Sequence, residues 1–175
     1  DVYFYFNQAC YGGAIYSLSS DAEFRNVVID RNNGFLSGGG LQVWGGQIRL
    51  SNAEISNNSS TIAAGAGNGG GGMQLAHTGA LLENVTIRDN LSERTGGGIY
   101  AKASNLTMVN SRVIGNVTTM ADEVCNPEDW GTGGVYLLEV QGALNFVDIS
   151  NNSGGLLASV HTNSGDPTDM SINNS

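Results

Sequence analysis

Short runs in which apolar and polar residues alternate recur along the whole chain, separated by segments rich in Gly and Asn. Residues 96–116 (GGGIYAKASNLTMVNSRVIGN) show the pattern, since Leu106 and Met108 alternate with polar neighbours. Alternation with a period of two is typical of β-strands, and no stretch carries the 3.6-residue period of a helix. The pattern therefore predicts an all-β protein built from short strands.

The glycine cluster at residues 96–98 has two interpretations, a phosphate-binding loop or a turn between strands. A phosphate-binding loop requires a helix directly after the glycines, because the first N–H groups of that helix bind the anion. The residues that follow, beginning with Ile99, have the spacing of a strand. The glycines are therefore predicted to occupy turns.

A unit that begins with Gly and has Asn nineteen residues later recurs six times. The pairs are Gly13–Asn32, Gly39–Asn58, Gly71–Asn90, Gly97–Asn116, Gly133–Asn152 and Gly154–Asn173. Apolar residues recur two, eleven and sixteen residues after the Gly; the last of these columns contains Ile29, Ile55, Ile87, Val113, Ile149 and Met170. Self-similarity at a fixed period is the signature of a repeat architecture.

Equivalent residues stack above one another when each unit forms one coil of parallel strands. Aliphatic ladders then lie inside the stack and polar ladders lie outside. Parallel crossover connections are almost always right-handed. The sequence therefore predicts one domain over residues 1–175, a right-handed parallel β-helix (solenoid) of about six coils. The column from Ile29 to Ile149 is predicted to form one buried ladder.

Asn occupies two further columns. Thirteen residues after each Gly the chain has Asn26, Asn52, Asn84 and Asn110, with Phe146 in the fifth unit. The Phe indicates that this column points inward at a bend, where stacked amides hydrogen-bond from coil to coil. The Asn that ends each unit is predicted to bond in the same way. The alternative for either column is a ligand-binding stripe.

The length of the units varies between the terminal Asn and the next Gly, which predicts variable loops on one edge of the β-helix. The two longest insertions are residues 59–70 and 117–132. Repeat proteins often place their binding loops on one face. Glu128, Asp129 and Trp130 make the second insertion the candidate recognition loop.

The net charge of the chain restricts the classes of molecule that it can bind. The net charge is −9, with only seven Lys and Arg, too few for the basic patch that binds nucleic acid or an anionic membrane. No apolar run approaches the roughly 20 residues of a membrane-spanning helix. Neither a nucleic-acid partner nor membrane insertion is expected.

Two short motifs resemble those of a known family. Phe4-Tyr5-Phe6-Asn7, followed by Gly12-Gly13-Ala14-Ile15, resembles the FxxN and GGA(I/L/V) tetrapeptides of the polymorphic outer membrane proteins and related β-helix surface proteins. Later units keep the spacing with an aliphatic residue in place of Phe, as in Ile55-Ser56-Asn57-Asn58. The resemblance covers nearly the whole chain. It implies an extracellular segment used in adhesion or surface architecture, such as a surface shaft, filament component or adhesin. Because the sequence places no convergent cluster of titratable residues, the segment is expected to be non-catalytic and to require no cofactor.

Partners are suggested by the same architecture. Solenoids need polar caps to protect their end strands, and no cap is visible in this sequence. We therefore expect neighbouring coils or subunits to stack end to end. The family resemblance adds a host-cell or glycan surface as a further expected partner.

Glycosylation sequons of the form N-x-S/T are frequent in the chain. The candidate glycosylation residues are Asn105, Asn57, Asn151, Asn90 and Asn116. The columns of Asn105, Asn57 and Asn151 contain other polar residues, so these three are predicted to point outward and to accept a glycan without disturbing the stack. Asn84 is predicted to be hindered by its ladder position. Occupancy requires secretion in a eukaryote.

Cys10 and Cys125 both lie on the predicted loop edge. Two cysteines are consistent with a secreted protein. Their pairing with each other, or with residues outside this sequence, stays open.

The rival classes are a carbohydrate-active β-helix enzyme similar to pectate lyases, and a glycan-binding module. An active site requires carboxylates that converge on one face, alone or with calcium and a basic residue. The nearest candidates, Arg112 and Asp148, have opposite charge on adjacent coils and indicate a surface ion pair. His77 and His161 are isolated. The sequence therefore predicts no catalytic residues.

A calcium site is the one metal alternative. Asp122, Glu123, Glu128 and Asp129 supply carboxylate oxygens within one insertion. They lack the ligand spacing of a defined calcium loop. No metal ligand is therefore assigned, and calcium stays an open alternative.

Overall fold

The computed structural model describes residues 1–61, 69–119, 132–159 and 169–173, and these residues form three parallel β-sheets without a helix. The prediction of an all-β protein is therefore confirmed. Within this part of the chain there is accordingly no apolar helix of membrane-spanning length.

The chain enters the three sheets in turn. The first sheet has ten strands: β1 (Val2–Tyr5), β4 (Ala22–Arg25), β5 (Val27–Asp30), β8 (Gln47–Ser56), β11 (Gly79–Arg88), β14 (Asn105–Val109), β15 (Arg112–Ile114), β18 (Gln141–Asn145), β19 (Asp148–Ser150) and β21 (Asp169–Asn173). The second sheet has six: β3 (Ile15–Leu18), β7 (Leu41–Trp44), β10 (Met73–Ala76), β13 (Ile99–Lys102), β17 (Val135–Leu138) and β20 (Leu156–Ser159). The third sheet has five: β2 (Gln8–Tyr11), β6 (Asn33–Ser37), β9 (Ser59–Ser60), β12 (Leu91–Ser92) and β16 (Val117–Thr118).

The aliphatic columns stack in register, as the sequence predicts. The column that begins at Ile29 pairs strand by strand through Ile55, Ile87, Val113 and Ile149. The first four residues are fully buried, and Ile149 packs against the same core. Phe4 extends this column in front of Ile29. Burial of apolar surface is the main driving force for folding, so these ladders form the structural core.

The Asn residues that end the units form a polar ladder beside this core. It contains Asn32, Asn58, Asn90, Asn116 and Asn152. Each backbone N–H and each Nδ2, except those of the last residue, donates to the Oδ1 of the next Asn at 2.8–3.1 Å. Each Nδ2 also donates to a carbonyl oxygen of the preceding repeat. The amides are therefore satisfied without water, and the predicted ladder is confirmed for these five residues.

The first tetrapeptide motif now has a physical explanation. The backbone N–H and Nδ2 of Asn7 both donate to Asn32 Oδ1 at 2.9 Å, while Phe4 pairs with Ile29. FxxN therefore combines one residue of the apolar ladder with one residue of the amide ladder, three positions apart.

The other Asn column points outward, so its predicted inward orientation is wrong. Asn26, Asn52, Asn84, Asn110 and Phe146 are all exposed. All five have φ values between 49° and 54°. Asn adopts this left-handed conformation more readily than most residues. The backbone conformation of the corner therefore explains why Asn recurs at this position. Asn26, Asn52 and Asn84 hydrogen-bond between repeats at 3.2–3.4 Å.

The sixth unit departs from the predicted register. Leu156 pairs with Val135 as expected, but Met170 pairs with Gly142 and Asn173 pairs with Asn145. Met170 and Asn173 therefore do not continue the columns of Ile149 and Asn152. The reason is extra length, since β21 begins thirteen residues after Leu156 whereas β18 begins six after Val135. Insertions consequently leave the repeats at more than one place, contrary to the prediction.

The third sheet lies where the sequence predicted only loops. β9 occupies the start of the first long insertion, and β16 occupies the start of the second. These strands are two residues long and show no alternation that could identify them. Residues 62–68 and 120–131, which make up most of the rest of the two insertions, lie outside the described residues.

Close approach between repeats explains the Gly that begins each unit. A Cβ on Gly97 would lie 2.4 Å from the carbonyl oxygen of Val117 and 2.6 Å from that of Gly133. The preceding Gly96 has a φ of 60°, which glycine adopts at no steric cost. The prediction that residues 96–98 form a turn is confirmed.

We expect Gly97→Ala to lower the free energy of unfolding by about 2 kcal/mol, because the added methyl group must displace backbone in two repeats. Urea unfolding followed by circular dichroism measures the change. Gly155→Ala is the matched control, since its Cβ would meet no atom within 4 Å. Equal losses in both variants would contradict the close approach.

Candidate functional site

The residues predicted to form the recognition loop, Glu128, Asp129 and Trp130, lie outside the described residues. The same holds for Cys125 and for the carboxylates considered for calcium. Cys10 is exposed. In the described part of the chain, no three His, Cys, Asp or Glu side chains are grouped so as to hold a metal ion.

The sequon residues fall into two structural groups. Asn105 is exposed at the start of β14, and Asn57 and Asn151 are exposed at corners. Asn90 and Asn116 are 1% and 0% exposed, and their amides are bonded within the ladder. A glycan on either buried residue would replace an Nδ2 hydrogen that the ladder uses. Asn84, which was expected to be hindered, is exposed.

We expect Asn105, Asn57 and Asn151 to carry glycans, and Asn90 and Asn116 to be bare, when the chain is secreted from a eukaryotic cell. The reason is the difference in burial between the two groups. Intact glycopeptide mass spectrometry of the folded protein measures occupancy at each position. Occupied Asn90 or Asn116 together with bare Asn105 would contradict the orientation of these columns.

Charged side chains are interleaved on the outward face of the first sheet. Arg49 lies 2.6 Å from Glu83 and 3.7 Å from Glu23. Arg88 lies 2.6 Å from Glu54 and 2.7 Å from Asp89. The hydrogen bond to Asp89, with a smaller contribution from Glu54, raises the pKa of Arg88 above its ordinary value. Exposed pairs of this kind contribute about 0–1 kcal/mol each.

Arg112 and Asp148, the predicted ion pair, are in register on β15 and β19. The ion pairs among the described residues do not include one between them. His77 lies far along the chain from both and contacts Trp44, with ring centroids 5.6 Å apart. His161 lies outside the described residues. Among the described candidates, no ion pair joins Arg112 to Asp148, and His77 contacts an aromatic ring instead of a charged partner.

The side of the second sheet that faces away from the core has a different chemistry, and we call it the aromatic–amide face. Its residues on β3, β7, β10, β13 and β17 are Tyr16, Leu18, Gln42, Trp44, Gln74, Ala76, Tyr100, Lys102, Tyr136 and Leu138. Tyr16, Leu18 and Trp44 are exposed and Lys102 is half-buried, whereas the other six are buried. The residues between them, such as Leu41 and Val43, belong to the core. These ten positions include no Asp or Glu, although the chain has 16 of them.

Ring and amide contacts order the aromatic–amide face. Tyr100 and Tyr136 are buried and stack with ring centroids 5.4 Å apart and planes 2° apart. Gln42 Oε1 accepts a hydrogen bond from Ser37 Oγ at 2.9 Å. Gln74 is 1% exposed, and its Oε1 is the one buried side-chain acceptor without a partner in the described part of the chain. Native proteins rarely leave such an atom unsatisfied.

The chain was compared with protein-family models, curated proteins and solved structures. No match was found. The resemblance to the polymorphic outer membrane proteins therefore stays a prediction that rests on the FxxN and GGAI motifs. Function has to be argued from the geometry of this chain.

Sequence reasoning missed the aromatic–amide face. Its residues belong neither to a titratable cluster nor to the predicted loop edge. The signal was nevertheless present three residues after each unit's Gly, where the first five units have Tyr16, Gln42, Gln74, Tyr100 and Tyr136.

Proposed function

We propose that the chain is a non-catalytic, extracellular structural segment, a right-handed parallel β-helix that acts as a rigid shaft in surface display or adhesion. The observation that supports this most is the amide ladder from Asn7 to Asn152, which joins consecutive repeats through buried hydrogen bonds. A repeat that buries its polar and apolar ladders only against its neighbours favours a rod, because stability is then a sum over interfaces.

The strand order supports the β-helix. After β3 in the second sheet, the chain passes through β4 and β5 in the first and β6 in the third, and returns to the second at β7. The same order recurs through β17. Crossover connections between neighbouring parallel strands are right-handed in about 98% of proteins, which is why we assign that hand.

Charge pairing supports a structural rather than a catalytic role. Arg49 and Arg88 lie against carboxylates of neighbouring strands on the first sheet. Such cross-strand pairs stabilise a sheet modestly. The exposed sequons at Asn57, Asn105 and Asn151 suit an extracellular location. Inter-repeat pairing of the same kind would join further coils or subunits end to end.

The test uses the purified protein with polygalacturonate and related acidic glycans, with and without calcium. We expect no turnover of these glycans, since in the described part of the chain no ion pair joins Arg112 to Asp148 and His77 contacts Trp44. Turnover that disappears in Arg112→Ala or Asp148→Ala would contradict the structural role.

Deletion of residues 120–131 keeps β16 and removes the predicted recognition residues. Loss of cell attachment in that folded variant would support adhesion through the loop, whereas attachment equal to that of the full chain would contradict it.

A further inference from the structure

Both ends of the described stack leave strands without a partner on one side. In this part of the chain, β1, β2, β3 and β4 pair only with strands of the next repeat. At the other end, β19, β20 and β21 pair only with strands of the preceding repeat. Such an edge presents a row of backbone N–H and C=O groups that can pair with a further strand. The two ends are therefore candidate interaction surfaces.

The apolar ladders are incompletely buried at these ends. In the ladder that runs from Phe4 to Ile149, the four residues between them are fully buried, whereas Phe4 and Ile149 are themselves half-buried. Two further ladders also end in side chains that are half-buried or exposed, namely Ile15 and Leu156, and Phe24 and Ile172. A further repeat at either end would remove this apolar surface from water, which is favourable.

The amide ladder gives the stack a direction. From Asn7 onward, each Asn donates its backbone N–H and Nδ2 to the Oδ1 of the Asn in the next repeat. Asn7 is exposed, and its Oδ1 accepts no hydrogen bond from the described residues. At the other end, the described residues include no Asn that continues the ladder beyond Asn152. One end therefore presents an acceptor and the other end presents donors, so unlike ends are complementary and like ends are not.

The two ends also match in their position within a repeat. β21 continues the series that starts at β4, and β1 starts the series that leads through β5 to β19. On the first sheet β5 directly follows β4 along the chain. A second copy that places its β1 beside β19 therefore occupies the position that follows β21, where no described strand lies.

We propose that the chain binds a second copy of itself head to tail, with β19 of one copy against β1 of the next. Asn152 of the first copy then donates its backbone N–H and Nδ2 to Asn7 Oδ1 of the next. This inference rests on the proposed shaft and extends it from one chain to a row of chains. A contact between unlike ends along one axis does not close on itself, so it generates an open series of oligomers.

Head-to-tail stacking predicts one specific new contact. A single outward column contains Tyr3, Val28, Glu54, Thr86, Arg112 and Asp148. Stacking places Asp148 of one copy beside Tyr3 of the next. Both residues are exposed, and Asp148 forms none of the described ion pairs. Either residue can therefore be changed without disturbing the core.

Sedimentation equilibrium of the whole chain tests the proposal, with a reducing agent present because Cys10 is exposed. We expect the average mass to rise with concentration without stopping at a dimer. Tyr3→Asp should weaken association by about threefold, because it places a carboxylate beside Asp148, and Tyr3→Lys should strengthen it by a similar factor. Asp148→Lys should reverse the order of these two variants.

Asn105→Asp and Asn105→Lys are the matched controls, since they introduce the same charges at an exposed residue on β14, between the two ends. Both should associate like the unchanged chain, and circular dichroism shows that each variant is folded. A monomer at every concentration would overturn the proposal. So would an equal loss in Tyr3→Asp and Tyr3→Lys, which indicates contact between two like ends, or an unchanged order of these variants in Asp148→Lys.

These outcomes are distinct from a failure of the proposed function. A monomeric chain would leave the shaft intact, because the repeats of one chain stack on each other. Turnover of polygalacturonate would contradict the structural role without changing the measured association.

Discussion

Replacement of Asn90 by Leu is expected to lower the free energy of unfolding by about 4 kcal/mol. Asn90 Oδ1 accepts from the backbone N–H and the Nδ2 of Asn58, and its Nδ2 donates to Ile55 O and Asn116 Oδ1. Leu has a similar volume but leaves these groups without partners. Each orphaned buried group costs about 1–3 kcal/mol, and relaxation recovers part of the sum.

Urea unfolding followed by circular dichroism measures this loss. Asn105→Ala is the control, because Asn105 is exposed and lies on a strand of the first sheet. Its effect should stay within about 0.5 kcal/mol. A loss below about 1 kcal/mol in Asn90→Leu would show that the amide ladder contributes little to stability.

Ile87→Asp is expected to prevent folding or to lower the free energy of unfolding by more than about 4 kcal/mol. Ile87 is fully buried between Ile55 and Val113 in one of the apolar ladders. A carboxylate at this position has no cation within the ladder, and burial of an unpaired charge is among the most destabilising changes known in proteins.

Two control variants separate the effect of the introduced charge from the effect of its position on the strand. Leu81 lies on the same strand as Ile87 but on its outward side, in register with Arg49. Leu81 is half-buried, so Leu81→Asp should cost about 1 kcal/mol, far less than Ile87→Asp, whereas Ile87→Val should cost about 0.5–1.5 kcal/mol. Similar losses in Ile87→Asp and Leu81→Asp would mean that the two faces of β11 are assigned wrongly.

The apolar ladders could be predicted from the sequence because their period and side-chain type agree. Ile29, Ile55 and Ile87 occupy one column, and a strand buries every second residue. The terminal Asn column was also predictable, since a polar residue that recurs beside an apolar column needs a polar partner inside the stack. Both signals depend on residues that repeat without interruption.

Other features were mispredicted because they depend on backbone geometry. Asn26 and Phe146 occupy equivalent corners with positive φ. Their column was predicted to be buried only because Phe is apolar and usually points inward. The third sheet was missed because strands as short as Ser59–Ser60 have no measurable period. Met170 was misplaced because the sixth unit is longer between its strands, and a fixed spacing cannot detect that.

The aromatic–amide face was missed for a different reason. Gln74 is unusual only when its neighbours are known, because an orphaned acceptor is a property of packing and not of sequence. Trp44 likewise gives no signal until its strand is placed beside that of Tyr16. The column of Tyr and Gln was visible in the sequence, but only the structure shows which of its members are exposed and which are buried.

Linear stacking of the repeats is tested most directly by the distance between two spin labels. Glu23 and Ala143 share one outward column, four strand spacings apart, which corresponds to about 19 Å between their backbones. Both are changed to Cys for labelling, in a chain with Cys10→Ser and Cys125→Ser. The measurement is then repeated after a second copy of residues 71–96 is inserted behind Gly96. Linear stacking predicts a folded protein in which the label distance increases by about 4.8 Å; an unchanged distance, or a chain that no longer folds, would contradict it.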